Sequence, residues 1–272
     1  MGWLATHLLV VVVGFLVAAS AVVILQQGRS PQATLAWLLF LVLIPYLAVP
    51  LFIAMGFRKR LRLHAKESKP TTDPDCLRAD AAQIERMLCR YGLGAASDGN
   101  RFDLLTDAEA AWTVLLDMVE SAQSSLDVTL YVLGNDPVGQ AFCAALEERA
   151  RNGVAVRLIL DSIGSLKRPR VALRSLRAAG AELRLYSPLL HGPRGGRLNQ
   201  RNHRKMLIVD GVCVWSGGRN VAEEYLGPTP KTGRWQDLSY RIAGPASAAY
   251  VNIFSSDWMA AGGRMRSSAV SV

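Results

Sequence analysis

Two long runs without a charged residue open the chain, and shorter segments of alternating helical and extended period follow them. From Trp3 to Leu25 the only ionisable side chain is His7, and about 20 apolar residues are enough for a helix to cross the hydrocarbon core. A second uncharged run extends from Thr34 to Phe57. Its Pro45 and Pro50 are tolerable, because a membrane helix can kink and re-satisfy the freed carbonyls through its neighbours. The polar stretch Gln26 to Gln32, with Gly28, Ser30 and Pro31, is long enough only for a tight turn. Residues 1–57 are therefore predicted to form a two-helix transmembrane hairpin. A cleaved leader fits less well, since the apolar stretch is too long, no charged segment precedes it, and a second run follows at once.

Beyond Phe57 the pattern changes. Residues 58–105 read as a basic juxtamembrane linker with one short helix, Asp80 to Tyr91, whose apolar positions Ile84, Met87 and Leu88 stop at Gly92 and Gly94. Residues 106–272 form the main domain. Thr106 to Ala122 is predicted helical, with Trp112, Leu115, Leu116 and Val119 on one face. Leu126 to Leu133 reads as a strand, Val138 to Arg151 as a helix and Val154 to Leu160 as a strand. Arg170 to Ala179 is again helical, Glu182 to Tyr186 extended, and Met206 to Val214 a further strand. This rhythm implies an α/β domain with a mostly parallel mixed sheet flanked by helices. Ser187 to Asn202, with Pro188, Pro193 and three glycines, is a long loop beside a strand, a common place for function.

Charge adds orientation. The turn between the apolar runs has Arg29 alone, whereas the second run exits through Phe57-Arg58-Lys59-Arg60-Leu61-Arg62, with Lys66 and Lys69 behind. Positive residues stay inside, so a multi-pass protein of the inner (cytoplasmic) membrane is expected, its N-terminus and main domain cytoplasmic. Cys76, Cys89, Cys143 and Cys213 show no C-x-x-C pairing and fit small apolar positions in a reducing compartment. The net charge of +9 is uneven: Gly164 to Lys205 holds eleven Lys or Arg against one acid, Glu182. Such a field concentrates anionic substrates or lipid head groups, and nucleic acid equally, so charge alone does not choose.

The basic run leads into the segment that can carry chemistry. Residues two apart on an extended chain share a face, so His203 and Lys205 project together while Arg204 projects away. Asp210 has the opposite parity to His203 and is expected to brace the strand end or a neighbouring loop. Past it, Trp215-Ser216-Gly217-Gly218-Arg219-Asn220 reads as a turn in which Gly217 and Gly218 let backbone amides approach an anion, with Asn220 as a further donor. A neutral imidazole can attack phosphorus, and an ammonium with nearby amides stabilises charge on non-bridging oxygens. His64-Ala65-Lys66 has the same spacing but lacks the aspartate, the strand and the glycine turn. No His, Cys or carboxylate cluster has metal-ligand spacing, so neither a metal nor a cofactor is expected. Asp237, at the start of an extended Asp237 to Ile242 segment, is the candidate for orienting His203, since a catalytic imidazole commonly gives its other N–H to a carboxylate.

His203-x-Lys205-x4-Asp210-x6-Gly217-Gly218-x-Asn220 resembles the HKD motif of the phospholipase D superfamily. Ser30-Pro31, Thr34 to Leu39, Asn135-Asp136-Pro137-Val138-Gly139, Asp161-Ser162-Ile163-Gly164-Ser165 and Arg201-Asn202, in that order behind paired apolar runs, resemble the N-terminal half of a bacterial cardiolipin synthase. The resemblance implies a phospholipase D-like fold. It also implies catalytic roles for His203, Lys205 and Asp210, binding roles for Gly217, Gly218 and Asn220, and transfer of a phosphatidyl group between phosphatidylglycerol molecules through a phosphohistidine. Anionic phospholipids and the membrane are the implied partners; nucleic acid is not expected. Family members use two HKD motifs, and this sequence holds one. A histidine bonded to phosphorus cannot also protonate the leaving oxygen on the opposite side of an in-line displacement. A second histidine would come from a homodimer or from a second HKD-containing chain. A membrane-tethered phosphodiesterase or nuclease, or an inactive half-domain, are the alternatives.

Overall fold

The computed structural model describes residues 2–26, 29–55, 82–90, 96–187 and 201–264. The basic flank after Phe57, Cys76 and most of the loop before Arg201 lie outside them. Helix α1, Gly2–Gln26, is long and apolar enough to cross a membrane. Its Leu4, Leu8, Val11 and Phe15 are exposed, as an all-round apolar helix in lipid would be.

The second apolar run is not one helix. It forms α2, Pro31–Leu43, and α3, Pro45–Met55, so the second leg of the expected hairpin is broken at Ile44. Ile44 leaves helical geometry (φ −138°, ψ 63°), because the ring of Pro45 crowds the α conformation of the residue before it. Ser30 starts α2 by accepting the Ala33 amide at 3.4 Å, with Pro31 in the first turn, where its missing N–H is not needed. Ile24, Leu41, Ala48, Val49 and Phe52 form the small core of these helices, and Trp37 meets Phe52 edge-on at 5.5 Å.

The α/β part is a seven-stranded sheet. After the short helix α4, Ala82–Arg90, its elements are β1 (Arg101–Leu105), α5 (Ala108–Ser121), β2 (Ser125–Leu130), α6 (Pro137–Arg151) and β3 (Ala155–Asp161). Then come α7 (Arg170–Ala178), β4 (Glu182–Tyr186), β5 (Met206–Val209), β6 (Cys213–Gly217), β7 (Ser239–Ala243) and α8 (Ser247–Ala260). The strand order is β1-β7-β6-β5-β2-β3-β4. Strands β2 and β3 run parallel, in the register Ser125↔Ala155. Four further pairings, β1–β7, β7–β6, β6–β5 and β5–β2, are antiparallel. The sheet is therefore mixed and flanked by helices, as expected, and the βαβ rhythm governs only one side of it.

The antiparallel side has a local cause. The predicted single strand Met206 to Val214 is a hairpin, turned at Asp210 (φ 50°) and Gly211 (φ 73°) and closed by Val212 N–H on the Val209 carbonyl at 3.0 Å. Asp-Gly is the pair that accepts positive φ at both central turn positions, the twist that matches two antiparallel strands. Arg101–Leu105, assigned from sequence to the linker, is in fact the edge strand beside β7.

Both faces of the sheet's middle are covered. Leu126, Val128 and Leu130 of β2 and Leu207 and Val209 of β5 pack with Trp112, Leu115 and Val119 of α5 and Phe142 and Leu146 of α6. On the other face Asp127 of β2 pairs with Arg157 of β3 at 2.6 Å, and the Arg157 guanidinium lies 4.8 Å over Phe254 of α8.

Candidate active site

His203 and Lys205 continue the parity of Leu207 and Val209 beyond the start of β5, and Arg204 continues that of Met206 and Ile208. The structure separates them accordingly. Arg204 turns to α8 and binds both oxygens of Asp257, at 3.1 and 2.9 Å. His203 and Lys205 gather on Tyr131, the residue after β2: the imidazole stacks on the phenol at 3.7 Å, and the Lys205 ammonium sits 5.5 Å from the ring centre. Lys205 Nζ also donates to the His203 carbonyl at 2.8 Å. The imidazole is exposed and its nitrogens hydrogen-bond no described residue. An aromatic face thus fixes the ring plane while its nitrogen edge stays available for attack.

Tyr131 is the residue sequence reasoning missed. Its carbonyl accepts the Ser165 hydroxyl at 2.9 Å, and Ser165 Oγ accepts Leu133 N–H at 3.3 Å. Just beyond, Val132 N–H donates to Asn220 Oδ1 at 3.2 Å, and Gly134 N–H to the Val221 carbonyl at 2.8 Å. Asn220, 5% exposed, therefore fastens the backbone that carries Tyr131.

The glycine turn is also otherwise engaged. Gly218 N–H donates to the Leu238 carbonyl at 2.9 Å, so this amide is not free for a phosphate. What the two glycines permit is close approach: a Cβ on Gly217 would lie 2.3 Å from the Leu238 carbonyl oxygen, and one on Gly218 2.1 Å from Asp237 Oδ1. The two glycines thus seat the chain entering β7. Asp237 makes no hydrogen bond to His203 among the described residues; its Oδ1 accepts the Leu238 amide at 2.7 Å. Its charge acts instead on Lys205 and Arg219. Burial pulls the Lys205 ammonium below its ordinary value, and Asp237 opposes that pull. Arg219, 2% exposed, donates to the Leu105 and Thr106 carbonyls at 2.9 and 2.5 Å and ties β6 to β1.

Asp210 lies at the hairpin turn, away from the imidazole. Its carboxylate accepts the amides of Gln123, Ser124 and Ser125 at 3.0, 2.7 and 2.8 Å and the Ser124 hydroxyl at 2.7 Å. Burial alone pushes this carboxyl up, but these hydrogen bonds outweigh it and hold it below the ordinary 3.8. A depressed carboxylate contributes stability that is fully present above its unfolded value and is lost as pH falls through the folded one. Asp210→Ala is expected to lower stability by about 2 to 3 kcal/mol, since it strands donors that had a charged partner. The deficit should be largest near neutral pH and shrink below about pH 4; thermal melts of both proteins across pH 3 to 7 measure it, and a deficit that does not vary with pH would contradict this account.

In the segment before His203, Asp161 at the end of β3 accepts Asn202 N–H at 3.0 Å and pairs with Arg201 at 3.6 Å. Arg201 also reaches the Ser162 hydroxyl and the Ser187 carbonyl, at 2.9 and 3.0 Å. Among the described residues no three His, Cys, Asp or Glu side chains cluster as metal ligands.

Residues 115–258 match the family described as "Cardiolipin synthase, PLD-like domain", and residues 14–56 the family described as "Phospholipase_D-nuclease N-terminal". The chain belongs to the cardiolipin synthase family of PLD-like proteins. It is 32% identical over 253 residues to cardiolipin synthase 1 of Bacillus cereus, covering 87% of this chain and 50% of that protein. Against the major cardiolipin synthase ClsA of Bacillus subtilis it is 31% identical, covering 87% and 53%. For cardiolipin synthase A of Pseudomonas aeruginosa the identity is 31%, with 91% and 53% covered. The chain thus spans about half the length of the curated relatives it matches. Among solved structures, Nuc from Salmonella typhimurium, a phospholipase D family member, is 20% identical with a TM-score of 0.47, covering 62% of this chain and 99% of that one.

Proposed function

We propose that the domain supplies one half-site of a cardiolipin synthase-like phosphatidyltransferase, with α1 to α3 as its membrane anchor and the sheet domain on the cytoplasmic side of the inner membrane. The observation that carries the reading is the exposed His203 imidazole, stacked on Tyr131 beside the Lys205 ammonium. A ring nitrogen of His203 attacks the phosphorus of one phosphatidylglycerol. The bond from phosphorus to the glycerol head group breaks, and a second histidine protonates the departing glycerol oxygen. The primary hydroxyl of another phosphatidylglycerol then attacks the phosphohistidine, gives its proton to that second histidine and restores His203. Lys205 holds the charge on the non-bridging oxygens throughout. The second histidine comes from another copy of the chain in a two-fold dimer, or from a separate HKD-containing chain.

A lipid mass spectrum of cells expressing the chain tests this reading. New cardiolipin is the expected result. Phosphatidic acid would mean that water is the acceptor, and an unchanged lipid profile would leave an inactive half-domain.

Asp237 enters as a positioning residue for Lys205. Removing its charge removes the influence that opposes burial of the ammonium, so the Lys205 value should fall further. Asp237→Asn is therefore expected to shift the alkaline limb of the pH–rate profile to lower pH while the acid limb stays in place. A profile that only scales down in height would show a merely structural role.

A further inference from the structure

Several arginines of the domain pair with a carboxylate: Arg157 has Asp127, Arg204 has Asp257, Arg241 has Asp103, and Arg234 has Glu109. The buried Arg219 spends its donors on backbone carbonyls instead. A group lining one cavity has no such carboxylate. Arg168, Arg170, Arg174 and Arg177 line a cavity of about 430 Å³ between α7 and the β3–β4 side of the sheet, and none of them has a carboxylate partner among the described residues. Arg170, Arg174 and Arg177 stand at i, i+4 and i+7 of α7, so they form one stripe. The remaining lining is Leu160, Leu173, Leu183 and Leu185, with Arg184 contributing from β4 while its guanidinium lies 5.8 Å over the Trp258 ring. Glu147 of α6, against which α7 packs, is already engaged by Arg151 and by the Ser175 hydroxyl. Five like charges around one apolar-floored groove repel one another until an anion joins them. Arg168 carries the sign of that crowding: burial first, and then the charge of Arg170, lower its ordinary value.

We propose that this groove binds the phosphate of an anionic phospholipid as a second, non-reacting lipid site, separate from His203. Arginine matches phosphate oxygens with a planar fork of donors. The choice of a lipid over another phosphate rests on two exposed apolar side chains, Leu166 (48% exposed) and Val171 (73% exposed), which line the adjoining cavity that shares Arg168 and Arg170 with this groove. Apolar and cationic side chains interleaved at a surface suit the head-group boundary of a bilayer, whereas a nucleic acid or a free phosphate makes no use of the apolar ones. The groove lining holds no nucleophile, so a head group held there is not cleaved. It does lie close to the chemistry. Arg168 donates to the Ser165 carbonyl at 3.0 Å, Ser165 donates to the Tyr131 carbonyl, and Tyr131 is the ring under His203. A lipid seated on the arginines would hold this rim of the sheet against the membrane surface.

The proposal shares with the proposed function only its membrane setting. Its test uses the full chain carrying His203→Asn, in detergent micelles, with a photo-crosslinking phosphatidylglycerol and peptide mapping of the adducts. Adducts on residues 166–185 are expected, and Arg170→Gln, Arg174→Gln and Arg177→Gln together should reduce them by about tenfold or more. The triple lysine variant, which keeps charge at the same exposed positions, should retain most of them. Unlabelled phosphatidylglycerol should compete and phosphatidylcholine should not. Equal labelling of the glutamine variant, or competition by glycerol phosphate or by a single-stranded oligonucleotide as strong as by the lipid, would overturn the proposal. A parallel turnover assay keeps the two readings apart: wild type without cardiolipin formation but with arginine-dependent labelling would sink only the transferase, and the reverse outcome only the groove.

Discussion

His203→Asn is expected to leave the fold intact and to remove phosphatidyl transfer, with a loss on the order of 10⁴-fold or more, as when the nucleophile of a covalent mechanism is deleted. The fold should survive because the imidazole is exposed and contributes one stacking contact, on Tyr131, rather than a buried hydrogen bond. Asparagine keeps a polar side chain of similar size but has no nitrogen that can attack phosphorus. Two measurements together decide the matter: the melting temperature, expected to stay near wild type, and the rate of cardiolipin formation from phosphatidylglycerol. A variant that melts normally and turns over normally would remove His203 from the chemistry. Mixing supplies the second half of the argument. If two copies of His203 face one phosphate, wild type diluted with excess His203→Asn should lose more activity than dilution alone accounts for, since mixed dimers are inactive. Strict proportionality would instead favour a second histidine from a different chain.

Lys205→Met is expected to lower the rate by on the order of 10² to 10³, the usual consequence of deleting one donor to developing negative charge. The change should fall on kcat more than on KM, because the ammonium matters most when the phosphorus is crowded and its oxygens carry extra charge. Methionine keeps an apolar side chain of similar length and removes the charge. A loss confined to KM would make Lys205 a ground-state anchor for the lipid phosphate. An unchanged rate would assign the ammonium to its hydrogen bond with the His203 carbonyl, a purely local role.

The helices α5, α6 and α7 and the strands β2, β3 and β4 were legible because each carries its own period and its own stop signals, such as Asn152-Gly153 and Gly180. The shared face of His203 and Lys205, with Arg204 opposed, was legible for the same reason: alternation is a local property of an extended chain. The rest depends on partners distant in sequence. Strand β1 has the same two-fold alternation as many loops, with Phe102 and Leu104 exposed, and becomes a strand only because β7 lies beside it. The β5–β6 hairpin has a local sign, Asp210-Gly211, but the apolar run from Met206 to Val214 on both sides of it also suits one continuous strand. Tyr131 belongs to no sequence motif; only the pairing of β2 with β5 sets it under the imidazole. Likewise Gly217 and Gly218 suit either an anion or a close neighbour, and what lies near them is the chain of Asp237 and Leu238.

The clasp of Asp210 on the amides of residues 123–125 also sets an order of assembly. Donor and acceptor stand 86 residues apart for the Ser124 bond, and β5 must slot between β2 and β6 before the clasp can close. As the chain leaves the ribosome, β2, β3 and their helices can therefore form a parallel layer early, with one edge of β2 still open. An open central edge is the part of a sheet most prone to pairing with a stranger. The arrival of the Asp-Gly hairpin seals that edge, and the same event brings His203 and Lys205 onto Tyr131. A nascent chain stalled before this hairpin would show a chaperone-dependent, sticky sheet and no catalytic centre; folding of the domain and completion of its chemistry are a single step.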